Sequence, residues 1–303
     1  MPVVTNLPER VTIVESGPRD GLQSEDTVLS IEERVGLIED LLAAGVRRIE
    51  VASFVHPGRV PQMAGAEEIV AGLPVGIDVS YLGLVLNERG LERALDTLVD
   101  EIGFVVAATD GYNTSNQGAT VDETLAELKR MIPAAHAEGR FASVTISVAF
   151  GCPYDGEVAP QRVAEVARRA VEYGAEEIAL GDTIGVAVPS RVVETLALLS
   201  DTLPGVPLRC HFHDTRGTAL ANAYAALTAG VSVLDTSVGG LGGSPFAPGA
   251  GGNLATEDLV YTLDRAGIVT GIDLEVLIAV GRRLGARLGH DLAASLQQID
   301  PWP

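Results

Sequence analysis

The run VPLRCHFHD ends with His211 and His213, two of the chain's five histidines, only two positions apart. In a β-strand such residues project from one face, so their imidazoles converge. With carboxylates nearby, that arrangement suits a metal ion; without them, it is a structural pair. Both readings stand on this stretch alone. Cys210 falls on the opposite strand face and is expected to be a buried packing residue. His136, within a helical segment, and His290, near the C-terminus, have no such company and are expected to be solvated or capping.

Four further stretches offer chemistry. ESGPRDGLQ is either a Gly-Pro turn with solvated charges or a loop presenting Arg19 as a fixed cation and Asp20 as a carboxylate. RRIEVASFV holds Glu50 inside an apolar strand, where burial is costly unless the acid is paired; Arg19 is the candidate partner. A strand-end glutamate reaching water is the alternative. ALGDTIG sets Asp182 and Thr183 at a strand-to-loop junction, as site groups or as the start of a turn. GGLGGSPFAPGAGGN, residues 239–253, has seven glycines in 15 residues, with Pro245 and Pro248 limiting where it bends. It reads as a lid with Ser244 at its tip, and Asn253 closes it with an amide oxygen that could reach the same cation as the histidines.

The elements that must position these groups alternate. A helix, a small Ala/Gly turn and a short apolar strand recur in LIEDLLAAGVRRIEVASF, LERALDTLVDEIGFVVAA, ARRAVEYGAEEIALGDT and AYAALTAGVSVLDTSVGG. Strands are expected at about 11–15, 47–54, 77–84, 101–107, 142–149, 177–181, 207–212 and 233–238. Eight such units imply an α/β fold, a closed (β/α)8 TIM barrel, with chemistry gathered where the strands end. An open doubly wound sheet would normally carry G-x-G-x-x-G after its first strand, and VTIVESGPRDG does not. The segment 274–300 reads as added helix packing on the barrel or on a second subunit. With no Pro/Ser-rich linker or charge run, one domain over 1–303 is the expectation.

Composition narrows the function. With 303 residues, 47% of them hydrophobic, the chain can bury one large core or two modest ones. A formal net charge of -20 argues against nucleic acid, so an anionic ligand must be held locally. The only lysine, Lys129, lies in an amphipathic helical stretch, which argues against imine chemistry. No stretch approaches the roughly 18 apolar residues of a membrane span, and MPVVTNLPERV has no basic-then-apolar leader pattern, so cytoplasmic residence is expected. The two cysteines, Cys152 and Cys210, lie in apolar segments and are expected to be reduced.

Taken together, ESGPRDGLQ, IEVASFVHPGRVPQMAG, AFGCPYDG, EIALGDTIGVAVP, CHFHDTRGTALANAYAAL and GLGGSPFAPGAGGNLATEDLVY resemble the 3-hydroxy-3-methylglutaryl-CoA lyases of the DRE-TIM metallolyase superfamily. The resemblance spans nearly the whole chain in barrel order. It implies that Asp20, His211, His213 and Asn253 ligate a divalent cation, Mg2+ or Mn2+. It also implies that Arg19 stabilises an enolate while Glu50 and Asp182 support the site. The implied reaction is retro-Claisen cleavage of an acyl-CoA substrate to acetyl-CoA and acetoacetate, with Asp20 or His211 accepting the hydroxyl proton. A homodimer is the family expectation.

One departure bears on substrate. The family usually has a cysteine where this chain has Ser244, and an alcohol is a much weaker acid than a thiol. Ser244 is therefore read as a hydrogen-bonding site residue, and a related substrate such as citramalyl-CoA is an alternative. A Claisen-condensing acyltransferase is another; such chains usually continue further, whereas this one stops about 60 residues after Ser244. A non-catalytic acyl-CoA- or metal-binding protein is a third.

Overall fold

The Ala-Gly turns that recur along the sequence are helix stops in the structure, a computed structural model that describes residues 7–243 and 252–299. Gly45, Gly174 and Gly230 take φ of +100°, +109° and +93°, a left-handed backbone that glycine adopts without a Cβ penalty. At each, the following N–H reaches back to the last helical turn, as Val46 does to the Leu41 carbonyl at 3.1 Å. The chain then enters the next strand in a fixed direction.

Eight strands result: β1 (Thr12–Glu15), β2 (Arg48–Ser53), β3 (Ser80–Val85), β4 (Glu101–Ala107), β5 (Phe141–Ser147), β6 (Glu177–Asp182), β7 (Leu208–Phe212) and β8 (Val233–Thr236). They pair in parallel, in chain order, and close by pairing β1 with β8 through Thr12↔Val233 to Glu15↔Thr236. This is a (β/α)8 TIM barrel. The third strand starts later than the sequence pattern suggests, because Ile77 lies exposed in the preceding loop. The eighth ends earlier, where Val238–Gly240 turns into a 3-10 helix. The added C-terminal helix runs Leu274–Leu288 and packs on the helix Ile31–Ala43 and on the Val238–Gly240 turn. Among the described residues beyond it there is only the short 3-10 turn Ser295–Gln297, so the helix ends at Leu288. Among the described residues no helix is long and apolar enough to cross a membrane.

The barrel's outer side is apolar, with Ile49, Val51, Ile102, Val144, Ile178 and Leu234 fully covered. Its lower interior is charged. Arg48 bonds Glu101 and Glu177 at 2.7 and 2.8 Å, and Arg209 bonds Glu177 and Asp235, each at 2.8 Å. Ser143 donates to Glu101 at 2.7 Å. Each acid faces a fixed guanidinium, so burial leaves no charge uncompensated.

Two more buried acids hold the turn from which the glycine-rich loop departs. Glu15 accepts from the N–H groups of Gly17 and Val238, each at 2.8 Å, and from the Thr256 hydroxyl at 2.6 Å. Glu257 accepts from the Gly239 N–H at 2.9 Å and from Gln297 at 2.7 Å. Burial outweighs these donors and pushes both acids up to about 7.

Two outcomes are expected. Arg48→Met strands Glu101 with only a hydroxyl partner and should cost about 3–5 kcal/mol in denaturant unfolding; a loss under about 1 kcal/mol would contradict that account. The acids set a pH dependence. Glu15 ionises near 4.5 when unfolded but near 7 when folded, so its contribution is complete below the lower value and is lost as pH rises through the upper one. Glu15→Gln should therefore lose less stability than the parent between about pH 5 and pH 8, by on the order of 3 kcal/mol, in paired melts.

Candidate active site

The stretch ESGPRDG forms a single π-helical turn, Gly17–Gly21, directly after β1. Such turns are short and irregular, and they re-aim side chains. Gly17 is required there, because a Cβ would stand 2.6 Å from Glu15 Oε1. Buried Arg34 pins the neighbouring loops, donating to the carbonyls of Gln62, Ala64 and Pro18 at 3.1, 3.2 and 3.4 Å. The turn is thus held from both sides, and it points Arg19 and Asp20 into the mouth of the barrel.

Arg19 lies between two carboxylates. Its Nη1 is 2.6 Å from Asp20 Oδ1 and its Nη2 is 2.6 Å from Glu50 Oε2. Glu50 is 6% exposed on β2, beside an irregularity in the β2–β3 register, so the glutamate in the apolar strand is paired rather than solvated. Burial raises the Glu50 acid even against Arg19, while its two carboxylates raise Arg19 despite burial.

His211 and His213 share one face of the β7 segment, with ring centroids 5.1 Å apart. Their Nε2 atoms are 3.9 and 4.0 Å from Asp20 Oδ2. Ligand atoms of these three residues all lie within 4.8 Å of one another. Asn253 bridges to His213 and donates its amide to Asp20 Oδ2 at 2.7 Å and to the Leu241 carbonyl at 2.9 Å. Gly242 permits that approach: at φ +127°, a Cβ there would be 2.2 Å from Asn253 Nδ2. Burial works against the charge of Asp20, but Arg19, the two imidazoles and the Asn253 amide overcome it and hold the acid at about 2.

This donor set fits a divalent cation. Asn253 Oδ1 is buried and has no hydrogen-bond partner among the described residues, an orphaned acceptor beside a carboxylate and two imidazoles. A carboxylate oxygen and two imidazole nitrogens within 4.8 Å of one another, with an amide oxygen beside them, are donor types that a divalent cation takes.

The remaining sequence candidates separate. Asp182 is not brought to the cluster: its carboxylate accepts from the N–H groups of Val186 and Ala187 at 2.8 and 3.1 Å and orders the loop after β6. Side-chain alternation explains this, since its neighbours Gly181 and Thr183 line the cavity instead. Burial raises the Asp182 acid to about 6. Ser244 and most of the glycine-rich loop lie outside the described residues. Cys210 is a fully buried free thiol, whose acidity burial suppresses. His136 pairs with Glu176, and His290 pairs with Glu25, both far along the chain from the cluster and both solvated.

A cavity of about 1180 Å³ opens above the cluster, with Arg209 and Asp235 in its lining and the exposed Arg59 and Arg89 at its rim. The sequence pattern passed over Asp235, although VLDT carries an acid one residue before its end just as ALGDT does. Its place in the cavity follows from register, because Asp235 is the direct β8 partner of His211.

The same arrangement of elements recurs in known proteins. The HMGL-like family matches residues 10–283. A hydroxymethylglutaryl-CoA lyase of Pseudomonas mevalonii is 45% identical over 281 residues, 93% of each chain. An (R)-citramalyl-CoA lyase of Chloroflexus aurantiacus is 45% identical over 303 residues, covering 97% of this chain and 96% of that one. The solved HMG-CoA lyase of Bacillus subtilis superposes with a TM-score of 0.94 at 39% identity, covering 97% and 99% of the two chains. With barrel and relatives in agreement over nearly its whole length, the chain belongs to the HMGL-like family and is a carbon–carbon lyase.

Proposed function

We propose that the protein cleaves 3-hydroxy-3-methylglutaryl-CoA to acetyl-CoA and acetoacetate, with Mg2+ or Mn2+ held by Asp20, His211, His213 and Asn253. The observation that carries this reading is the meeting of Asp20, His211 and His213 within 4.8 Å beside a guanidinium. When bound, the cation supplies Lewis-acid polarisation that makes the substrate's tertiary hydroxyl easier to deprotonate.

The chain's own residues do the rest. The hydroxyl proton passes to Asp20, while His211, whose Nε2 faces Asp20 and whose Nδ1 faces Asp235, serves as a ligand. The bond between the carbinol carbon and the thioester's α-carbon then breaks, and its electron pair becomes an enolate on the thioester. Arg19 meets that charge. Its Nη1 and Nη2 each give one hydrogen, to Asp20 and to Glu50 respectively, and the second hydrogen on each is left for the thioester oxygen. Glu50 keeps the guanidinium from turning, and Asp182 steadies the loop carrying Thr183. Return of the proton held by Asp20 to the enolate carbon completes acetyl-CoA, and Ser244 is proposed as a hydrogen-bonding residue of the site. Arg59 and Arg89 suit a phosphate-bearing tail on a chain whose net charge is -20. The same reading includes a homodimer acting in the cytoplasm.

A second substrate is favoured by one observation: the citramalyl-CoA lyase relative is as similar, at 45%, as the methylglutaryl one. Assaying both thioesters on the parent and on Ser244→Cys compares them. The methylglutaryl thioester should turn over faster in Ser244→Cys than in the parent; equal preference for it in both enzymes would remove any role of Ser244 in substrate choice.

Acetyl-CoA release should vanish with a chelator and return with Mg2+ or Mn2+. Release from no hydroxyacyl-CoA under any metal would instead mark a binding protein. Arg19→Gln should lower kcat by about 10²–10³-fold with little change in KM, since the charge it meets exists only in the transition state. A variant that raised KM alone would refute that role.

A further inference from the structure

We infer that Asp235 is a positioning residue for His211, fixing the imidazole as its Nδ1–H tautomer so that the Nε2 lone pair faces Asp20. The inference rests on the proposed role of His211 as a cation ligand and adds a residue that fixes its orientation. Asp235 Oδ2 lies 3.3 Å from His211 Nδ1, while Nε2 of the same ring looks towards Asp20 at 3.9 Å. The two residues are direct partners across β7 and β8, so strand pairing alone sets their spacing.

A carboxylate orients a ring only if it cannot turn away. Arg209 stands two residues before His211 on the same strand face and donates from Nη1 to both oxygens of Asp235, at 2.8 and 2.9 Å. Its Nε is in turn tied to Glu177 at 2.8 Å. Asp235 is therefore held as an ionised acceptor, and an atom facing it at hydrogen-bond distance must carry the hydrogen. A neutral imidazole with hydrogen on Nδ1 has its lone pair on Nε2, the atom turned to the cluster. Asparagine at 235 would keep the size but reverse this: with its oxygen on Arg209, its amide would face Nδ1 and favour hydrogen on Nε2.

The test uses the full chain stripped of metal, with Mn2+ as the probe followed by electron paramagnetic resonance. Asp235→Asn should bind Mn2+ about 10–100-fold more weakly than the parent while melting cooperatively. In 15N-histidine spectra at alkaline pH, His211, assigned by its loss in His211→Gln, should carry hydrogen on Nδ1 in the parent and on Nε2 in Asp235→Asn. A counter-ion of Arg209 with no other role would leave the tautomer and the Mn2+ affinity unchanged, within about twofold, and that result overturns the inference. Should Asp235→Asn fail to fold, the parent spectrum decides alone: hydrogen on Nε2 refutes it. His211→Gln separates the layers, because undiminished Mn2+ binding there removes the ligand role itself, whereas weakened binding there with an unaffected Asp235→Asn removes only the part assigned to Asp235.

Discussion

Everything at the mouth of this barrel depends on one buried guanidinium shared by two carboxylates. Bringing Asp20 close to two imidazoles and the orphaned amide oxygen of Asn253 requires the acid to stay ionised in a site it shares with Glu50. Two like charges at such range would drive one to take up a proton. Arg19 prevents that for Asp20, and the consequence is asymmetric: Asp20 is held at about 2 while burial raises Glu50. One acid is kept ionised at rest for the cluster, and the other serves the arginine.

That pairing in turn needs a backbone able to deliver it. Arg19 and Asp20 are adjacent in sequence, yet their charged ends meet at 2.6 Å. The π-helical turn gives this geometry, and glycine at position 17 is what lets it lie against Glu15. Glu15 then links the turn to the root of the glycine-rich loop through the Gly17 and Val238 amides. The first and last strands of the barrel are thereby joined by one carboxylate, directly beneath the residues that must converge. Positions far apart in sequence, such as Asp20 and Asn253, reach 2.7 Å because barrel closure makes β1 and β8 neighbours.

Much of this was legible from residue order. The Ala-Gly stops, the apolar strands between them and polar residues at strand ends specify a barrel and the end at which chemistry gathers. The HFHD spacing identified the paired imidazoles, and the energetic cost of a lone acid in RRIEVASFV pointed to Arg19. What stayed hidden depends on register and side-chain direction. Asp182 and Asp235 both end apolar strands, yet alternation sends one to loop amides and the other to His211. The strand boundaries near 77 and 238 differ because apolar residues lie outside the ladders, Ile77 and Val79 before the first pair of β3 and Val238 after the last pair of β8. The charged floor was invisible for a different reason: Arg48, Glu101, Glu177 and Arg209 each look like strand-end charges alone, and only closure makes them one network.

That floor has a consequence for the site above it. Arg209 gives the upper layer an acid, Asp235, whose position is determined from below, and it takes its own position from Glu177, which also answers to Arg48. In a low-dielectric interior such a chain of ion pairs cannot relax one member at a time, because moving any side chain leaves a charge without its partner. The rigidity that stabilises the barrel is therefore also what orients His211. Substitutions at the floor, well below the cluster, are expected to reach the cluster through Asp235 rather than through the backbone, since the strands themselves are held independently by their parallel ladders.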